Sequence, residues 1–446
     1  MIWEKLLVRD RFFNESTEFD EAGRSGFQRD IDRIVFSSAF RRLQGKTQVH
    51  PLPKNDHIHN RLTHTLEVSS VGRTLGTTVG ERLAEASLLP NTHTPADCGS
   101  IVQASCLAHD IGNPPFGHAC EDSIGDWFQT WFQDHAQLSE GKISPDEKDD
   151  LTFFDGNAQG FRLITRLEYQ FNEGGMQLSF PVLATFLKYP WLPKTAPSQK
   201  PDKASCFLSE VDYLREVCIT TGLKKLSDDR WSRHPFAYLV EAADDICYKV
   251  IDIEDGIELG ILDFDDYKEL LKAVDQYDTD FDKNVPPGEA RRLFFKLRGR
   301  IFQDLINEAV DTFFNRYDQI MDGSFEGELL NESESDIANL LDNASELSKR
   351  RVFTDRKKTM IEIGAYANVN ITLDSFCSAI AEYVAHDKKP EHTSPLCKKI
   401  VQHVESEGFA MPDDLYHCFR GVVDYVSGMT DNYSGYVARQ IGGVWS

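Results

Sequence analysis

The chain has 446 residues, of which 41% are hydrophobic and 27% are charged. These proportions are typical of soluble globular proteins, so the chain can bury a sizeable core and is not predicted to be disordered. The 72 acidic residues exceed the 48 basic ones and give a formal charge of −24. That charge repels nucleic acid over most of the surface, which argues against a general DNA-binding protein.

The composition also bears on the cellular compartment. No apolar run reaches the roughly 20 residues that a bilayer-spanning helix needs, and charges interrupt the N-terminal MIWEKLLVRD too early for a secretion signal. The nine cysteines include no C-x-x-C pair, which favours reduced thiols over a disulfide framework or a thiolate zinc site. We predict a cytoplasmic protein in which Cys106, Cys120 and Cys247 are small buried hydrophobic residues.

Basic residues are concentrated near the N-terminus. Between Arg24 and Arg61 there are eight lysines and arginines against three aspartates. A locally basic segment on an acidic protein indicates either a focused binding site for phosphates or a solvated, charged helix face. The pattern alone leaves both interpretations open.

Helical periodicity dominates the remainder of the chain. Apolar residues recur at spacings of three and four in 64–76, 234–256, 290–321 and 415–429, which predicts amphipathic helices. Few segments alternate as strands do, and a short hairpin near 47–52 is the one β element we consider. The expected class is mostly α-helical.

Three polar stretches are expected at the surface. Residues 139–150 and 194–205 contain proline, serine and lysine without apolar spacing, which predicts loops. Residues 328–347 contain Ile337, Leu340 and Leu341 at a spacing compatible with a helix. The chain shows no internal repeat and no composition break that would mark a domain boundary.

Three separate segments place metal-ligating residue types on predicted helices: His64, His109 with Asp110, and Asp244. Two imidazoles and two carboxylates suit one divalent ion such as Mn, Fe, Co, Ni or Zn. The Gly-Asn-Pro-Pro break at 112–115 ends a helix beside the His-Asp doublet, so both side chains of the doublet could reach one ion. A lone histidine is more often a core residue, but three such segments favour a metal site because unpaired buried charge is costly.

The two aspartates of EAADDICY are distinguished by helical spacing. Val240, Asp244 and Tyr248 lie four residues apart on one stripe, whereas Asp245 points about 100° away from it. We therefore choose Asp244 as the ligand and interpret Asp245 as a supporting or surface residue.

His118 and Glu121 follow the double proline and lie three residues apart, so they share a helix face. A carboxylate behind an imidazole fixes its tautomer and raises its basicity, which suits general acid/base chemistry. Asp122, four residues from His118, is the competing partner. The alternative is an ordinary first helical turn in which acidic residues are favourable.

The same residues carry a resemblance to a known family. The pattern H…HD…D is that of the HD superfamily, and the longer strings resemble bacterial dGTP triphosphohydrolases. They extend in family order over nearly the whole chain, and HDIGNPPFGH, FDGNAQG and SGMTD are highly specific. The matching strings are RRLQGKTQV (41–49), RLTHTLEV (61–68), HDIGNPPFGH (109–118), FDGNAQGFRL (154–163), FLKY (186–189), EAADDICY…DIEDG (241–256) and YVSGMTD (425–431).

The resemblance implies metal-dependent hydrolysis of a deoxynucleoside triphosphate, with dGTP favoured, to deoxynucleoside and inorganic triphosphate. The implied metal ligands are His64, His109, Asp110 and Asp244, and the implied catalytic pair is His118 with Glu121. Matches to substrate-pocket positions occur at Gln48, Arg61, Asn157, Lys188 and Tyr248. From their chemistry, Arg61 and Lys188 could hold phosphates and Gln48 a sugar or base edge, while Tyr248 could contact the deoxyribose or be core packing.

The implied architecture is an all-α, HD-domain helical core with N-terminal and C-terminal helical extensions and at most a short β-hairpin. We expect one body over residues 1–446, with the core at about 57–257 and a C-terminal helical region at about 258–446. The resemblance further implies one divalent metal ion per site, with Mn or Mg in use and Co, Ni, Fe or Zn as alternatives. It also implies a homo-oligomer, in many relatives a hexamer, and a nucleotide or single-stranded DNA effector.

Two other functions remain open at this point. One is an HD-type 5′-deoxynucleotidase, which would release orthophosphate from a monophosphate. The other is a catalytically silent regulator that binds a nucleotide or single-stranded DNA. An intact set of ligand residues together with the His118–Glu121 pair argues against a silent protein.

Overall fold

The computed structural model describes residues 1–13, 20, 23–50, 55–169, 173–201, 203–271, 274, 287–333, 335–406 and 411–444, without the side chains of 138 and 287–295. Regular structure in these residues is almost entirely helical. The one sheet among them pairs strand β1 (Lys225–Ser227) with the antiparallel strand β2 (Arg230–Trp231). The prediction of an all-α protein with at most a short hairpin is confirmed.

The helices of the N-terminal half begin at residue 3. They are α1 (Trp3–Leu6), α2 (Gly26–Val35), α3 (Ser38–Arg42), α4 (Arg61–Glu85), α5 (Pro95–Ala108), α6 (His118–Asp134), α7 (Ala136–Ser139), α8 (Pro145–Thr152), α9 (Gly156–Arg162), α10 (Phe180–Phe186), α11 (Val211–Thr220) and α12 (Ala237–Glu258). Short 3₁₀ turns lie at Leu43–Gly45, Pro193–Thr195 and Leu208–Glu210, and a π-helical turn at Leu163–Leu167 follows α9.

The C-terminal half contains two helices of about 30 residues. Its helices are α13 (Phe264–Leu271), α14 (Pro287–Asn315), α15 (Tyr317–Asp322), α16 (Asp336–Leu347), α17 (Arg356–Ala385), α18 (Pro395–Ser406), α19 (Leu415–Ser427) and α20 (Asp431–Ile441). A π-helical turn at Ser348–Val352 and a 3₁₀ turn at Pro390–His392 complete the set. The four helical segments predicted from periodicity are confirmed in α4, α12, α14 with α15, and α19.

Two local predictions were wrong. The hairpin lies at 225–231 and not near 47–52, where residues 47–50 contribute only an isolated bridge between Thr47 and Asn60, and 51–52 lie outside the described residues. The polar stretch 139–150 is not all loop, because α8 begins inside it. Ser144 caps α8 by accepting from the Glu147 N–H, and the Glu147 carboxylate accepts from the Ser144 N–H, so a capping box overrides the low apolar content.

Helices α4 and α5 pack unusually closely, and glycine makes this approach feasible. Gly72, Gly76 and Gly80 lie four residues apart and form one stripe of α4. A Cβ at Gly76 would lie 2.7 Å from the Cys98 carbonyl oxygen, and one at Gly80 would lie 2.8 Å from Pro95 Cα. The stripe therefore lets the two backbones meet, which brings the start of α4 and the end of α5 together.

Helix α12 also packs against α4, so that α4, α5 and α12 share one hydrophobic core. A second core lies between α6, α17 and α19, where Ile124, Leu373 and Phe419 are fully or almost fully buried. All nine cysteines are free and buried, as predicted for the three that we singled out. No described helix is both long enough and apolar enough to cross a membrane.

Candidate active site

Three helices bring His64, His109 and Asp244 together. His64 lies in the first turn of α4, His109 follows the last residue of α5, and Asp244 lies in α12. The Asp244 Oδ1 atom is 3.0 Å from His64 Nε2 and 3.6 Å from His109 Nε2. One ligand atom from each residue lies within 4.8 Å of the other two, a spacing that can surround one ion.

The histidine tautomer suits a metal ligand. His109 Nδ1 lies 2.6 Å from the Cys106 carbonyl oxygen, to which it donates, so the lone pair of Nε2 faces the cluster. His109 Nε2 is buried and has no hydrogen-bond partner within the described structure. A buried acceptor without a partner is costly, and a divalent cation held by these residues would satisfy it.

Electrostatics in the cluster are strongly coupled. Burial disfavours the charged form of His109, but Asp110 and Asp244 outweigh this and raise the His109 pKa to about 9. Burial likewise opposes ionisation of Asp244, yet the neighbouring His109 and His64 imidazoles hold the Asp244 pKa well below its usual range. The carboxylate is therefore ionised at neutral pH, as a metal ligand must be.

Asp110 lies beside the cluster and is oriented by two neighbours. Its Oδ2 is 3.7 Å from His109 Nε2 and accepts a 2.7 Å hydrogen bond from Arg61 Nη1. Its Oδ1 accepts from the Asn113 side chain. Burial raises the Asp110 pKa, but the positive charges of Arg61 and His109 outweigh burial, so the Asp110 pKa is lower than its ordinary value.

His118 and Glu121 form a hydrogen-bonded pair at the start of α6. His118 Nδ1 is 2.6 Å from Glu121 Oε2, and Glu121 Oε1 accepts a 2.9 Å bond from the Gly156 N–H. The His118 side chain is 85% exposed, whereas the Glu121 side chain is 10% exposed. The imidazole thus faces solvent with a buried carboxylate behind it, and Asp122 takes no part in this bond.

The pair raises the basicity of the imidazole. The hydrogen bond to Glu121, followed by its negative charge, raises the His118 pKa above the ordinary value. Burial raises the Glu121 pKa, but the bond and charge of His118, together with Lys203 and the Gly156 N–H, outweigh burial and lower it. Because Nδ1 is occupied by Glu121, Nε2 is the atom that can exchange a proton with a substrate or water.

The remaining sequence-predicted residues differ in how they are held. Gln48 has a buried Oε1 with no partner in the described structure. Asn157 donates its amide to Asp155 Oδ1 at 2.8 Å, one residue beyond the Gly156 that binds Glu121. Asn157 therefore lies beside the His118–Glu121 pair, with its amide oxygen left to accept.

Lys188 and Tyr248 lie near the metal cluster. Lys188 Nζ is 3.3 Å from Glu241 Oε1, and Glu241 also accepts a 2.7 Å bond from Arg233. Two cations on one buried carboxylate leave an excess positive charge one helical turn before Asp244. Tyr248 lies one turn after Asp244, and its ring centroid is 6.0 Å from that of Phe353, so it is partly engaged in packing.

The basic N-terminal segment is divided between different surroundings. Arg24, Arg29 and Arg33 line one surface pocket, and Arg41 and Arg42 line another. Lys46 is buried and donates to two main-chain carbonyls, Arg61 binds Asp110, and Lys54 lies outside the described residues. The segment is therefore neither a single anion site nor one solvated helix face.

Two further residues emerge only from the structure. Lys203 forms no ion pair with any described residue, and its charge lies close enough to His118 and Glu121 to lower the pKa of both. Asp252 is buried one turn beyond Tyr248 with an unpartnered Oδ2, and burial raises its pKa far above the usual value. Lys203 fell within a stretch predicted only as a loop, whereas the four-residue spacing from Tyr248 could have indicated Asp252.

Comparison with known proteins agrees with this arrangement. The HD domain family model matches residues 61–173, which include His64, His109, Asp110, His118 and Glu121. A deoxyguanosinetriphosphate triphosphohydrolase-like protein of Pseudomonas aeruginosa is 41% identical over 450 residues, covering 99% of each chain. The chain belongs to the dGTP triphosphohydrolase-like family of HD-domain proteins.

More distant relatives include a protein whose name lacks the ending "-like". A dGTP triphosphohydrolase-like protein of Synechocystis is 37% identical over the full length of both chains. The deoxyguanosinetriphosphate triphosphohydrolase of Cronobacter sakazakii is 31% identical over 92% of each chain. Membership identifies a metal-dependent hydrolase family and leaves the substrate of this chain to be tested.

Proposed function

We propose that this protein hydrolyses a deoxynucleoside triphosphate, with dGTP favoured, to deoxynucleoside and inorganic triphosphate. The observation that carries the proposal is the cluster of His64, His109 and Asp244, in which His109 Nε2 is buried and has no partner, on the chain that also presents the His118–Glu121 pair. The names of the full-length relatives support the same reaction class.

His64, His109, Asp110 and Asp244 would hold one divalent ion, with Mn or Mg as the expected metal. When bound, such an ion supplies Lewis-acid polarisation and a more acidic water. His118 would transfer a proton through Nε2, while Glu121 keeps its Nδ1–H in place. Gly156 in turn fixes Glu121, so the direction of the imidazole is set by two successive hydrogen bonds.

The cations beside the cluster would bind the phosphates. Arg61 reaches from Asp110 towards Gly117, since its Nη2 would lie 3.0 Å from a Cβ at Gly117. Lys188 carries the excess positive charge of the Glu241 group, and Lys203 adds a charge near His118. Three cations near the cluster and the His118–Glu121 pair would offset the charge of a triphosphate, which favours a triphosphate over a monophosphate substrate.

Tyr248 and Asp252 would contact the deoxyribose. The unpartnered Asp252 Oδ2 is available to hydrogen-bond a sugar hydroxyl, and Tyr248 lies between Asp252 and Asp244 on the same stripe of α12. The unpartnered Gln48 oxygen would accept from a sugar or base donor, and Asn157 would complete the pocket on the side of the catalytic pair. We further propose a homo-oligomer in the cytoplasm, responsive to a nucleotide or to single-stranded DNA.

The test is an anion-resolved product assay on purified protein. Each dNTP, GTP and each deoxynucleoside monophosphate is incubated in turn with Mg, Mn, Co or Ni, beside a His118→Ala control. Deoxynucleoside plus triphosphate, lost in the control, would establish the reaction and rank the bases. Orthophosphate released from a deoxynucleoside monophosphate would instead identify a 5′-deoxynucleotidase, and dNTP binding without product would identify a silent regulator.

A further inference from the structure

Asp431, the first residue of α20, is bonded to the loop that precedes His118. Its side chain is buried and belongs to neither the metal cluster nor the His118–Glu121 pair. Asp431 Oδ1 accepts a 2.9 Å bond from the Phe116 N–H. Asp431 Oδ2 accepts a 3.0 Å bond from the Thr47 N–H and a second bond from the Thr47 hydroxyl.

The backbone that Asp431 holds is an unusual one. Phe116 has φ 60° and Gly117 has φ 61°, and these two residues immediately precede His118. A bulky residue such as phenylalanine rarely adopts a positive φ, and this backbone conformation persists only where the surrounding structure holds it. The bond from Phe116 N–H to Asp431 is a direct restraint on this turn, and so on the direction in which α6 leaves it.

The same C-terminal segment is attached to the other end of the loop. Lys46 Nζ donates to the Ser427 carbonyl at 2.8 Å and also to the Asn113 carbonyl. Asn113 donates its side chain to Asp110. Residues 427–431 thus meet the loop 109–118 at Asn113 through Lys46 and at Phe116 through Asp431.

We propose that Asp431 is a positioning residue, which acts through the Phe116 N–H to place His118 at the correct distance from the metal-bound substrate. The proposal rests on the proposed function, because it assigns a role in that same reaction. His64 and Asp244 lie in α4 and α12, His109 directly follows α5, and the Asp110 side chain is held by Arg61 and Asn113 and not by Asp431. Loss of Asp431 should therefore slow turnover without weakening metal binding.

Asp431→Asn tests this with little change of volume. An asparagine side chain has one oxygen acceptor, so either the Phe116 N–H or the Thr47 N–H must face its amide donor. We expect kcat to fall by about 10- to 100-fold, as displacement of a reacting group by about 1 Å can cause. KM and the Mn²⁺ affinity should stay within about threefold of the wild type.

Asp374→Asn is the matched control. Asp374 Oδ1 accepts a 2.6 Å bond from Trp127 Nε1, so this variant also removes a carboxylate bonded to the α6 segment, nine residues beyond His118. Its kcat should be close to the wild-type value. An equal loss of kcat in both variants, or a parallel loss of Mn²⁺ affinity in Asp431→Asn, would overturn the positioning role.

Thr47→Val serves if Asp431→Asn does not fold, because it removes one bond to Asp431 and keeps the Thr47 N–H bond. Its kcat should fall below the wild-type value by less than about 10-fold, and an unchanged kcat with folded protein would contradict the proposal. Hydrogen exchange of residues 111–121 gives a readout independent of turnover. Asp431→Asn, or Thr47→Val in its place, should speed exchange at 116–118 while Asp374→Asn does not.

The two proposals fail in different ways. If the wild type releases no triphosphate from any dNTP, the proposed function fails and the exchange experiment still decides whether Asp431 holds the loop. If the wild type is active and the Asp431 variant keeps full kcat, the proposed function stands and the positioning role is wrong.

Discussion

The metal cluster and the His118–Glu121 pair lie at opposite ends of one short loop, yet they differ in how they are held. The His64 side chain is 2% exposed and the His118 side chain is 85% exposed. The cluster is fixed by three helices that share a core, whereas His118 is fixed by a chain of hydrogen bonds to Glu121 and then to Gly156. Helix packing therefore holds the cluster residues in place, while exposure leaves the His118 imidazole accessible to substrate.

Because the two groups are held in different ways, metal binding and proton transfer should be separable by mutation. Changes in the cluster should abolish metal binding and, with it, activity. Changes in the pair should alter rate and pH dependence while the metal stays bound.

The largest effect is expected for Asp244→Asn. Removing the negative charge shared by His64 and His109 should abolish Mn²⁺ binding in a calorimetric titration and reduce triphosphate release to background. Asp245→Asn is the control, because Asp245 lies on another helix stripe and pairs with Lys249 at 3.2 Å. Loss of metal binding in Asp245→Asn, with retention in Asp244→Asn, would show that the wrong aspartate was chosen.

His118→Ala should come next. We expect kcat to fall by about 10²- to 10⁴-fold, the range for loss of a general acid or base. Mn²⁺ affinity should not change, because His118 belongs to no bond within the cluster. A large loss of metal affinity in His118→Ala would show that the His118–Glu121 pair and the metal cluster are not independent.

Glu121→Gln should have a smaller effect on kcat and a distinctive effect on pH dependence. Glu121 raises the His118 pKa, so its removal should move the inflection of kcat/KM that belongs to His118 to lower pH. The measurement is a pH–rate profile with metal at saturation. Asp122→Asn, which removes a nearby carboxylate that is not bonded to His118, should move the inflection less, and an equal shift would contradict the pairing.

The sequence predicted which residues meet in the cluster and in the His118–Glu121 pair. His64, His109 and Asp244 interrupt apolar helical patterns, so burial of those helices had to bring polar side chains inside, where they need partners. The structure does bring these three residues together. Their role as metal ligands, like that of the catalytic pair, stays a prediction until it is measured.

The contributions of Lys203 and Asp431 could not be predicted from local pattern. Lys203 lies in a polar stretch whose composition indicates only a loop. It reaches the site because that loop packs against Asp155, whose Oδ2 accepts a 3.4 Å hydrogen bond from the Ala204 N–H. Asp431 belongs to SGMTD, a string with a recognisable family match but no local signal of its partners. Its contacts with Thr47 and Phe116 span 384 and 315 residues, and only tertiary packing creates them.

The smallest effect is expected at His59, which helps to hold the helices that carry the metal cluster. His59 precedes α4 and is bonded to Asp255 of α12 at 2.8 Å, so it joins two helices that carry cluster residues. Burial lowers the His59 pKa, but hydrogen bonds to Asp255 and Glu67 raise it more, to about 10 in the folded protein. The unfolded value is about 6.5. Since the folded pKa is the higher one, the bond stabilises most below pH 6.5 and its contribution is lost as pH rises through 10.

His59→Gln should therefore lower the free energy of unfolding by about 2 kcal/mol at pH 6, and by progressively less as pH approaches 10. Urea unfolding of metal-free protein at several pH values measures this difference. His57→Gln, at an exposed position two residues earlier, should show no such dependence. If the metal cluster depends on helix packing, His59→Gln should also weaken Mn²⁺ binding at pH 7 while leaving the pH inflection of His118 in place.

A shifted His118 inflection with unchanged metal affinity would mean that the metal cluster and the His118–Glu121 pair are coupled through α4, and the contrast between them would fail.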